Sequence, residues 1–238
     1  MCLKMKVSIL QPGYLPWLGF FEQLAKVDTF VLFNDVQYTK LDWRNRNRIK
    51  TPNGVRYLTV PIVRMSTETL IKDIKISYDH PWCMKHINML RASYQKAAYF
   101  KQYFDHIKEC IESKFEYLQD LNFALIKILS NLLGLEDKNF LWSSSVPYER
   151  SRNKSVNLLN ICLSTGATYL YDGKSAQKFL DLDFLNEHGV TVEFQDYQHP
   201  QYPQQWGEFV PYLSVIDLLF NVGPESLDYI IGKKGRRQ

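Results

Sequence analysis

The sequence has few cysteines, and nothing ties them to a metal. Cys2, Cys83, Cys110 and Cys162 form no CxxC pair, and no His/Cys cluster has the spacing of a zinc site. Free thiols in a reducing compartment are the simplest interpretation, so no metal is expected. No apolar run reaches the roughly 20 residues of a membrane helix, and the N-terminus lacks a signal-peptide pattern. We therefore expect a cytoplasmic protein.

The excess of basic over acidic residues is also small, and the common catalytic motifs are missing. The formal net charge is +4 over 238 residues, which gives little support to a general nucleic-acid-binding role. The phosphate-binding patterns GxxxxGK[ST] and GxGxxG do not occur, and neither do GxSxG or HExxH. The function must therefore be inferred from less regular groups of residues.

What the sequence does contain is an alternation of strand and helix patterns, which predicts an α/β fold. An apolar run at 6–10, a helical pattern at 16–27 and a second apolar run at 28–33 form a βαβ unit. The two strands of such a unit should be parallel. The tripeptide PNG at 52–54 lies between two strand-like runs, which predicts a β-hairpin.

Helical patterns then replace strand patterns over about residues 80–135. Before them, residues 71–76 have the character of a strand. After them, Ser151 is the predicted N-cap of a helix, and the last helix is predicted at 210–222. We predict a single domain over 1–238 with a mostly parallel sheet core, the N-terminal βαβ unit, the hairpin and an inserted helical layer at about 80–135.

The first candidate site is the stretch QPGYLPWLG at 11–19. Gln11 follows the first strand and Asp35 ends the second, and ligands of parallel sheets bind at the carboxyl ends of strands. The prolines limit backbone freedom, while Tyr14 and Trp17 offer flat faces with polar tips. We expect a rigid aromatic wall over a polar floor. The alternative is that Trp17 fills a core and Asp35 caps a turn.

Basic residues and a tryptophan are concentrated at 38–54. In a strand, Arg44, Arg46 and Arg48 would share one face, and guanidinium groups suit phosphates or carboxylates. The stretch is therefore suited to a nucleotide diphosphate. A solvated hairpin edge protected by charge is the alternative. The substrate-binding candidates in and beside this stretch are Gln37, Trp43, Arg44, Asn45, Arg46 and Arg48.

The third candidate site lies in residues 199–226. Ser214, Asp217 and Asn221 form one polar stripe on an otherwise apolar helix. A buried polar stripe must be satisfied by partners or by a ligand. Asp217 is therefore a candidate general base, and nearby His199 a candidate proton shuttle. A buried aspartate that caps the amides of a neighbouring loop is the alternative. Tyr202, in the preceding aromatic segment, is a further substrate-binding candidate.

Several of these stretches together resemble the WbqC-like family of bacterial proteins. The segments that carry the resemblance include QPGYLPWLGFFEQLAKVDTFVLFNDVQYTK, WRNRNRIKTPNG and FVPYLSVIDLLFNVGPES. The resemblance implies a role in O-antigen, lipopolysaccharide or other surface-polysaccharide biosynthesis, in which a nucleotide-linked amino sugar is modified. N-acyl or N-aminoacyl transfer to the sugar amine is the preferred reaction. The resemblance brings no catalytic residues with it, so the site residues depend on the patterns above.

Three functions follow from these observations. The first is a transferase whose partners are a nucleotide-linked amino sugar and an acyl or aminoacyl donor. The candidates for its base are Asp217, His199 and Asp35. No cofactor is indicated, and nucleic acid is a partner only if a charged tRNA is the donor. The second is a protein similar to nucleotidyl- or adenylyl-transferases, although residues 1–79 contain none of the histidines on which those enzymes depend. The third is a non-catalytic binding protein of polysaccharide assembly.

Overall fold

A computed structural model describes residues 5–40 and 42–235 of the chain. The chain divides into two compact units. The first unit comprises Met1–Gln11, Glu22–Asp35 and Asp137–Tyr197, and the second comprises Pro12–Phe21, Val36–Glu136 and Gln198–Gln238. The single domain with an insertion at about 80–135 stays a prediction.

The elements are numbered along the chain. The strands are β1 (Lys6–Leu10), β2 (Thr29–Leu32), β3 (Arg46–Thr51), β4 (Gly54–Thr59), β5 (Asn139–Trp142), β6 (Tyr169–Gly173) and β7 (Thr191–Gln195). The helices are α1 (Leu18–Lys26), α2 (Trp82–Tyr94), α3 (Phe100–Glu112), α4 (Leu118–Leu132), α5 (Lys154–Thr165), α6 (Leu182–Glu187), α7 (Val215–Val222) and α8 (Ser226–Ile230).

The first unit is built on a five-stranded sheet in the order β5-β2-β1-β6-β7. Every neighbouring pair of its strands is parallel, with Val7 opposite Thr29 in the β1–β2 pair. The α/β fold and the parallel βαβ unit predicted from the sequence are therefore confirmed. Strand β1 is therefore central. The chain adds β2 and β5 on one side of it and later adds β6 and β7 on the other side.

Helices α5 and α6 pack against one face of this sheet. Val7, Ile9 and Leu170 from the strands form a buried cluster with Leu159 of α5 and Leu185 of α6. Two residues apart on β1, Val7 and Ile9 share a face, as the strand periodicity requires.

The N-cap of α5 was predicted wrongly. Asn153, not Ser151, caps the helix, since its side chain accepts hydrogen bonds from the backbone amides of Ser155 and Val156. The hydroxyl of Ser151 instead accepts a bond from the amide of Asn153 at 3.1 Å. Asparagine and serine are equally good N-caps, so residue type alone could not choose between them.

The second unit contains the hairpin β3–β4 and the helices of the predicted helical layer. The hairpin turns at Pro52 and Asn53, within the predicted PNG, and Arg48 lies opposite Tyr57 in its antiparallel register. Helices α2, α3 and α4 occupy the region that the sequence assigned to helices, and α3 also contacts α7. Their buried faces are aromatic and aliphatic, for example at Tyr94 and Phe104.

The strand predicted at 71–76 is wrong. Ile71–Asp73 form a single turn of 3-10 helix, and the segment makes only isolated bridges, such as that between Ile76 and Ile62. Ile71, Ile74 and Ile76 are all buried. The apolar residues that suggested a strand therefore serve the core without a continuous partner strand.

Helix α7 is shorter than the last helix predicted at 210–222, and a further short helix, α8, follows it. Helix α7 begins at Val215 with Ser214 as its N-cap, and Tyr212, two residues before the cap, has a φ of 59°. That left-handed conformation is costly for a residue with a side chain and cannot continue an α-helix backwards.

Three cysteines, Cys83, Cys110 and Cys162, are free thiols. Cys2 lies outside the described residues. Within the described ranges, no helix has both the length and the hydrophobicity that crossing a membrane requires.

Candidate functional site

In the second unit, the loop that follows β1 is strained and tightly held. Leu15 has a φ of 45°, and the Asn47 side chain donates to the carbonyls of Leu15 at 2.8 Å and Tyr14 at 3.3 Å. Tyr14 is fully buried, and its hydroxyl lies 2.9 Å from Nδ1 of His86. Burial lowers the pKa of His86 to about 4, so the ring is neutral at pH 7. Tyr14 is therefore an anchor of the loop, and its predicted contact with substrate stays a prediction.

Trp17 links this loop to the segment that precedes α7. It forms an isolated antiparallel bridge with Ser214, and its ring lies 5.8 Å from that of Tyr212. A Cβ on Gly19 would overlap the indole of Trp17, so only glycine fits there in this arrangement. Trp17 therefore packs against Tyr212, and the predicted aromatic wall of Tyr14 and Trp17 over a polar floor stays a prediction.

The chemically distinctive group of the second unit is the carboxyl of Asp217, in the first turn of α7. Its side chain has no exposed surface, and Oδ1 accepts a hydrogen bond from the Tyr94 hydroxyl at 2.8 Å. Oδ2 makes no hydrogen bond of standard geometry with the residues that the structure describes. Burial raises the pKa of Asp217 to about 6, although Tyr94, Tyr202, Lys50 and Gln204 all act to lower it.

The ammonium group of Lys50 interacts electrostatically with this carboxyl. It is held by residues 198–214, which we call the 198–214 segment. Nζ donates to Oε1 of Gln204 at 3.2 Å, to the carbonyl of Gly207 at 3.4 Å and to the carbonyl of Glu208. Burial lowers the pKa of Lys50, while Asp217 and Glu208 act in the opposite direction. The Tyr94 hydroxyl, which donates to Asp217, also accepts a hydrogen bond from the backbone amide of Lys50 at 3.0 Å, so it ties the carboxyl to the main chain of β3.

His199 is occupied by the backbone of the same segment. Its Nδ1 donates to the carbonyl of Pro200 at 2.9 Å, and its Nε2 accepts from the amide of Tyr212 at 3.0 Å. This pair of bonds fixes the neutral tautomer, and burial lowers the pKa of the ring. Nε2 holds the strained backbone at Tyr212, and Nδ1 holds the backbone at Pro200. The role of His199 as a proton shuttle stays a prediction.

The other members of the predicted polar stripe cap and brace α7. The Ser214 hydroxyl accepts from the amide of Ile216 at 3.5 Å, and the Asn221 side chain donates to the carbonyl of Asp217 at 2.7 Å. Tyr202 is buried close to Asp217 and packs its ring 5.3 Å from that of Phe209. Of the stripe, only Asp217 is left with a buried oxygen atom available for chemistry.

The basic stretch divides between the surface and the interior. Arg46 and Arg48 share one partly exposed face of β3, whereas Asn45 is buried and donates to the carbonyl of Val60 at 2.9 Å. Arg44 precedes the strand and pairs with Asp42. The predicted common face therefore holds for Arg46 and Arg48 but excludes Arg44. The side chain of Gln37 donates to the carbonyl of Thr67 at 2.5 Å.

In the first unit, Asp35 stands at the carboxyl end of β2, as predicted. Its Oδ1 accepts from the Ser143 hydroxyl, and its Oδ2 accepts from Tyr148 at 2.8 Å and from Nε of Arg150 at 3.0 Å. These bonds tie the end of β2 to the residues after β5. Both oxygens of Asp35 already have donors, so its role as a base stays a prediction.

The point where the strand order reverses lies between β1 and β6. Gln11 follows β1 and is half-buried, and Asp172 is buried near the end of β6. The amide of Gly173 donates to Oδ1 of Asp172 at 2.6 Å, and burial raises the pKa of that carboxyl to about 6. Crevices at such points are the usual ligand sites of parallel sheets.

The predicted site residues thus fall into two groups. Gln11 and Asp35 belong to the first unit, and Tyr14, Trp17 and Asp217 belong to the second. A pocket that all five share stays a prediction.

Sequence reasoning missed Lys50, Tyr94 and Gln204, which surround Asp217, and Tyr57 on the hairpin. Lys50 had a usable signal, because it lies two and four residues after Arg48 and Arg46 and so shares their strand face. Tyr94 had none, as it is one of several aromatic residues in helical segments.

Comparison with known proteins supports one family. The sequence profile of the WbqC-like protein family matches residues 11–229. The chain belongs to the WbqC-like protein family. It is also 37% identical over 228 residues to the uncharacterized protein Rv1507c of Mycobacterium tuberculosis, an alignment that covers 94% of this chain and 97% of that protein. The WbqC-like profile therefore includes nearly all the residues discussed above, from Gln11 to Asn221.

Proposed function

We propose that the protein is a transferase that joins an acyl or aminoacyl group to the amine of a nucleotide-linked amino sugar, in the biosynthesis of O-antigen or another surface polysaccharide. Membership of the WbqC-like family supports a role in surface-polysaccharide biosynthesis, because that is the role that resemblance to this family implies. The carboxyl of Asp217 supports the chemistry.

The observation that carries the proposal is the state of this carboxyl. A buried oxygen that lacks a hydrogen bond is costly, by about 1–3 kcal/mol for a typical polar group and more for a charged one. Oδ2 of Asp217 has this property among the described residues. The pKa of about 6 makes Asp217 a stronger base than an ordinary aspartate while leaving it mostly ionised at pH 7.

The proposed step is the attack of a sugar amine on the carbonyl carbon of an ester or thioester donor. A C–N bond forms, and the C–O or C–S bond of the donor breaks, with its electron pair leaving on the oxygen or sulfur. The proton lost by the nitrogen passes to Oδ2 of Asp217. The Tyr94 hydroxyl holds Oδ1, which fixes the direction in which Oδ2 faces.

Side chains on β3 supply a path for the anionic end of the substrate. Arg46, Arg48 and Lys50 follow one another on one face of the strand, from two partly exposed arginines to the buried Lys50, which interacts electrostatically with Asp217. At about 3.4 Å per residue, this row spans roughly 14 Å. Phosphates at the exposed end would leave the sugar directed toward Asp217.

Because Asp217 has no exposed surface, this reaction requires movement of the 198–214 segment. Trp206 and Tyr212 within it have φ values of 62° and 59°. Left-handed residues with side chains store about 1–3 kcal/mol each, so relaxation of this backbone would favour opening.

The test is a transfer assay with the purified full-length chain. UDP- and dTDP-linked amino sugars are incubated with acyl-CoA or with aminoacyl-tRNA, and the sugar nucleotide is examined by mass spectrometry. The proposal expects a mass increase of one acyl or aminoacyl group, reduced roughly 100-fold or more in Asp217→Asn. Asp105→Asn, on the exposed face of α3, is the matched control. Binding without a mass increase from any pair would favour a non-catalytic binding protein.

The strand order of the first unit supports a second candidate, a nucleotide-binding protein similar to nucleotidyl- or adenylyl-transferases. The order β5-β2-β1-β6-β7 is 3-2-1-4-5 when the five strands are counted along the chain, the order of many nucleotide-binding folds. Equilibrium dialysis with ATP tests this candidate. If this candidate function is correct, the wild type should bind ATP and Asp172→Asn should bind it more weakly. Pyrophosphate should be released when a second substrate is supplied.

A further inference from the structure

An exposed pair of aromatic rings lies on the hairpin of the second unit. Trp43, just before β3, and Tyr57, in β4, expose 48% and 47% of their surface, and their ring centroids are 6.4 Å apart with 30° between the planes. Single exposed rings are ordinary on protein surfaces, whereas these two neighbouring rings together expose one apolar surface to which a ligand could bind.

Two guanidinium groups accompany these rings. Cζ of Arg46 lies 4.7 Å from the centroid of Tyr57, and Cζ of Arg48 lies 5.6 Å from the centroid of Trp43. Nη2 of Arg48 also donates to the carbonyl of Tyr212 at 3.0 Å, which limits its movement. We call Trp43, Tyr57, Arg46 and Arg48 the hairpin quartet.

The quartet combines two kinds of recognition in one place. Aromatic faces stack on planar rings such as nucleobases, without regard to which base is present. Guanidinium forks bind phosphate oxygens through paired hydrogen bonds. A free sugar would use only the rings, and an inorganic phosphate only the arginines. The ligand that uses both is a nucleobase joined to phosphates.

We infer that the hairpin quartet binds the nucleoside diphosphate part of the sugar substrate, with the base stacked on Trp43 and Tyr57 and the phosphates on Arg46 and Arg48. This inference rests on the proposed function. It assigns the nucleotide end of the substrate to the hairpin quartet and the amino-sugar end to the region of Asp217. It also replaces Tyr14, whose ring is buried, with Tyr57 as the stacking partner.

The experiment measures the affinity of the full-length chain for UDP and for dTDP by isothermal titration calorimetry. The variants are Trp43→Ala, Tyr57→Ala and the double variant Arg46→Ala/Arg48→Ala. The matched control is Arg56→Ala, because Arg56 is exposed on the same hairpin, next to Tyr57 in sequence but on the opposite face. Thermal melts establish that each variant is folded.

We expect each aromatic variant to weaken binding about 10-fold, since one stacked base contributes about 1–3 kcal/mol and 1.4 kcal/mol is tenfold. The double arginine variant should also bind weakly and lose most of the dependence on salt. The control should bind normally.

Equal affinity in the aromatic variants, the arginine variant and the control would overturn the inference. So would the absence of UDP and dTDP binding in a wild-type protein that still modifies an amino-sugar nucleotide, and in that case the proposed function would stand alone. A short single-stranded RNA ending in CCA is the final arm. Binding of that RNA on the quartet, with no binding of either diphosphate, would assign the surface to a tRNA donor and contradict the inference.

Discussion

The substitution Asp217→Asn should change how the stability of the protein depends on pH. Asparagine keeps the shape of the side chain and can still accept the hydrogen bond from Tyr94, but it cannot ionise. In the folded protein, burial raises the pKa of Asp217 from an ordinary 3.8 to about 6. The comparison of the two chains therefore isolates the cost of placing a charge at this position.

The sign and size of the effect follow from that shift. Between pH 4 and pH 6 the unfolded chain has lost the Asp217 proton while the folded protein retains it, so this residue lowers the free energy of unfolding as the pH rises. A difference of about two pKa units corresponds to about 3 kcal/mol. The free energy of unfolding of Asp217→Asn minus that of the wild type should therefore increase by about 3 kcal/mol as the pH rises from 4 to 7.

Urea unfolding followed by circular dichroism at a series of pH values measures this quantity. His86 acts in the opposite direction over the same range, but it is present in both proteins and cancels in their difference. Asp105→Asn, at an exposed site of α3, is the control variant. A constant difference between Asp217→Asn and the wild type across this range would refute the reasoning, because it would mean that Asp217 ionises alike in both states.

Three further predictions concern single residues of the second unit. His86→Gln should remove a loss of stability that the wild type shows as the pH falls from 6.5 to about 4, worth about 3 kcal/mol; unchanged pH dependence in urea unfolding would contradict it. Gly19→Ala should lower the melting temperature because the new Cβ overlaps Trp17, although the same change in an unhindered helix would stabilise by about 1 kcal/mol; a raised melting temperature would count against the described packing. Ser214→Ala should lower the stability by about 1 kcal/mol, because the N-cap of α7 is lost; an unchanged melting temperature would show that the cap contributes little.

The sequence was most informative where structure is local. The apolar runs at 6–10 and 28–33 with a helix between them specify a parallel βαβ unit, and PNG specifies the hairpin turn. Residues 71–76 have the same strand-like composition but become a 3-10 turn and isolated bridges. Whether such a segment finds a partner strand depends on tertiary contacts that lie outside the segment itself.

The candidate site was predicted only in part, for a similar reason. The polar stripe on the otherwise apolar α7 correctly indicated that Asp217 is buried and needs a hydrogen-bond partner. Its partner Tyr94 is 123 residues away in the chain, and no periodicity or spacing connects them. For Tyr14 and Trp17, composition marked their loop as unusual. It could not predict that the ring of Tyr14 is buried while that of Trp17 is partly exposed.

The most direct test of Asp217 as the base is the pH dependence of the transfer rate. With a substrate pair identified in the transfer assay, single-turnover rates are measured from pH 4.5 to 8 in the wild type and in Asp217→Asn. If Asp217 accepts the proton, the wild-type rate should rise with an apparent pKa near 6. The Asp217→Asn rate should be roughly 100-fold lower at pH 7 and lack that rise. The same rise at a near-normal rate in folded Asp217→Asn would contradict the account and direct attention to His199.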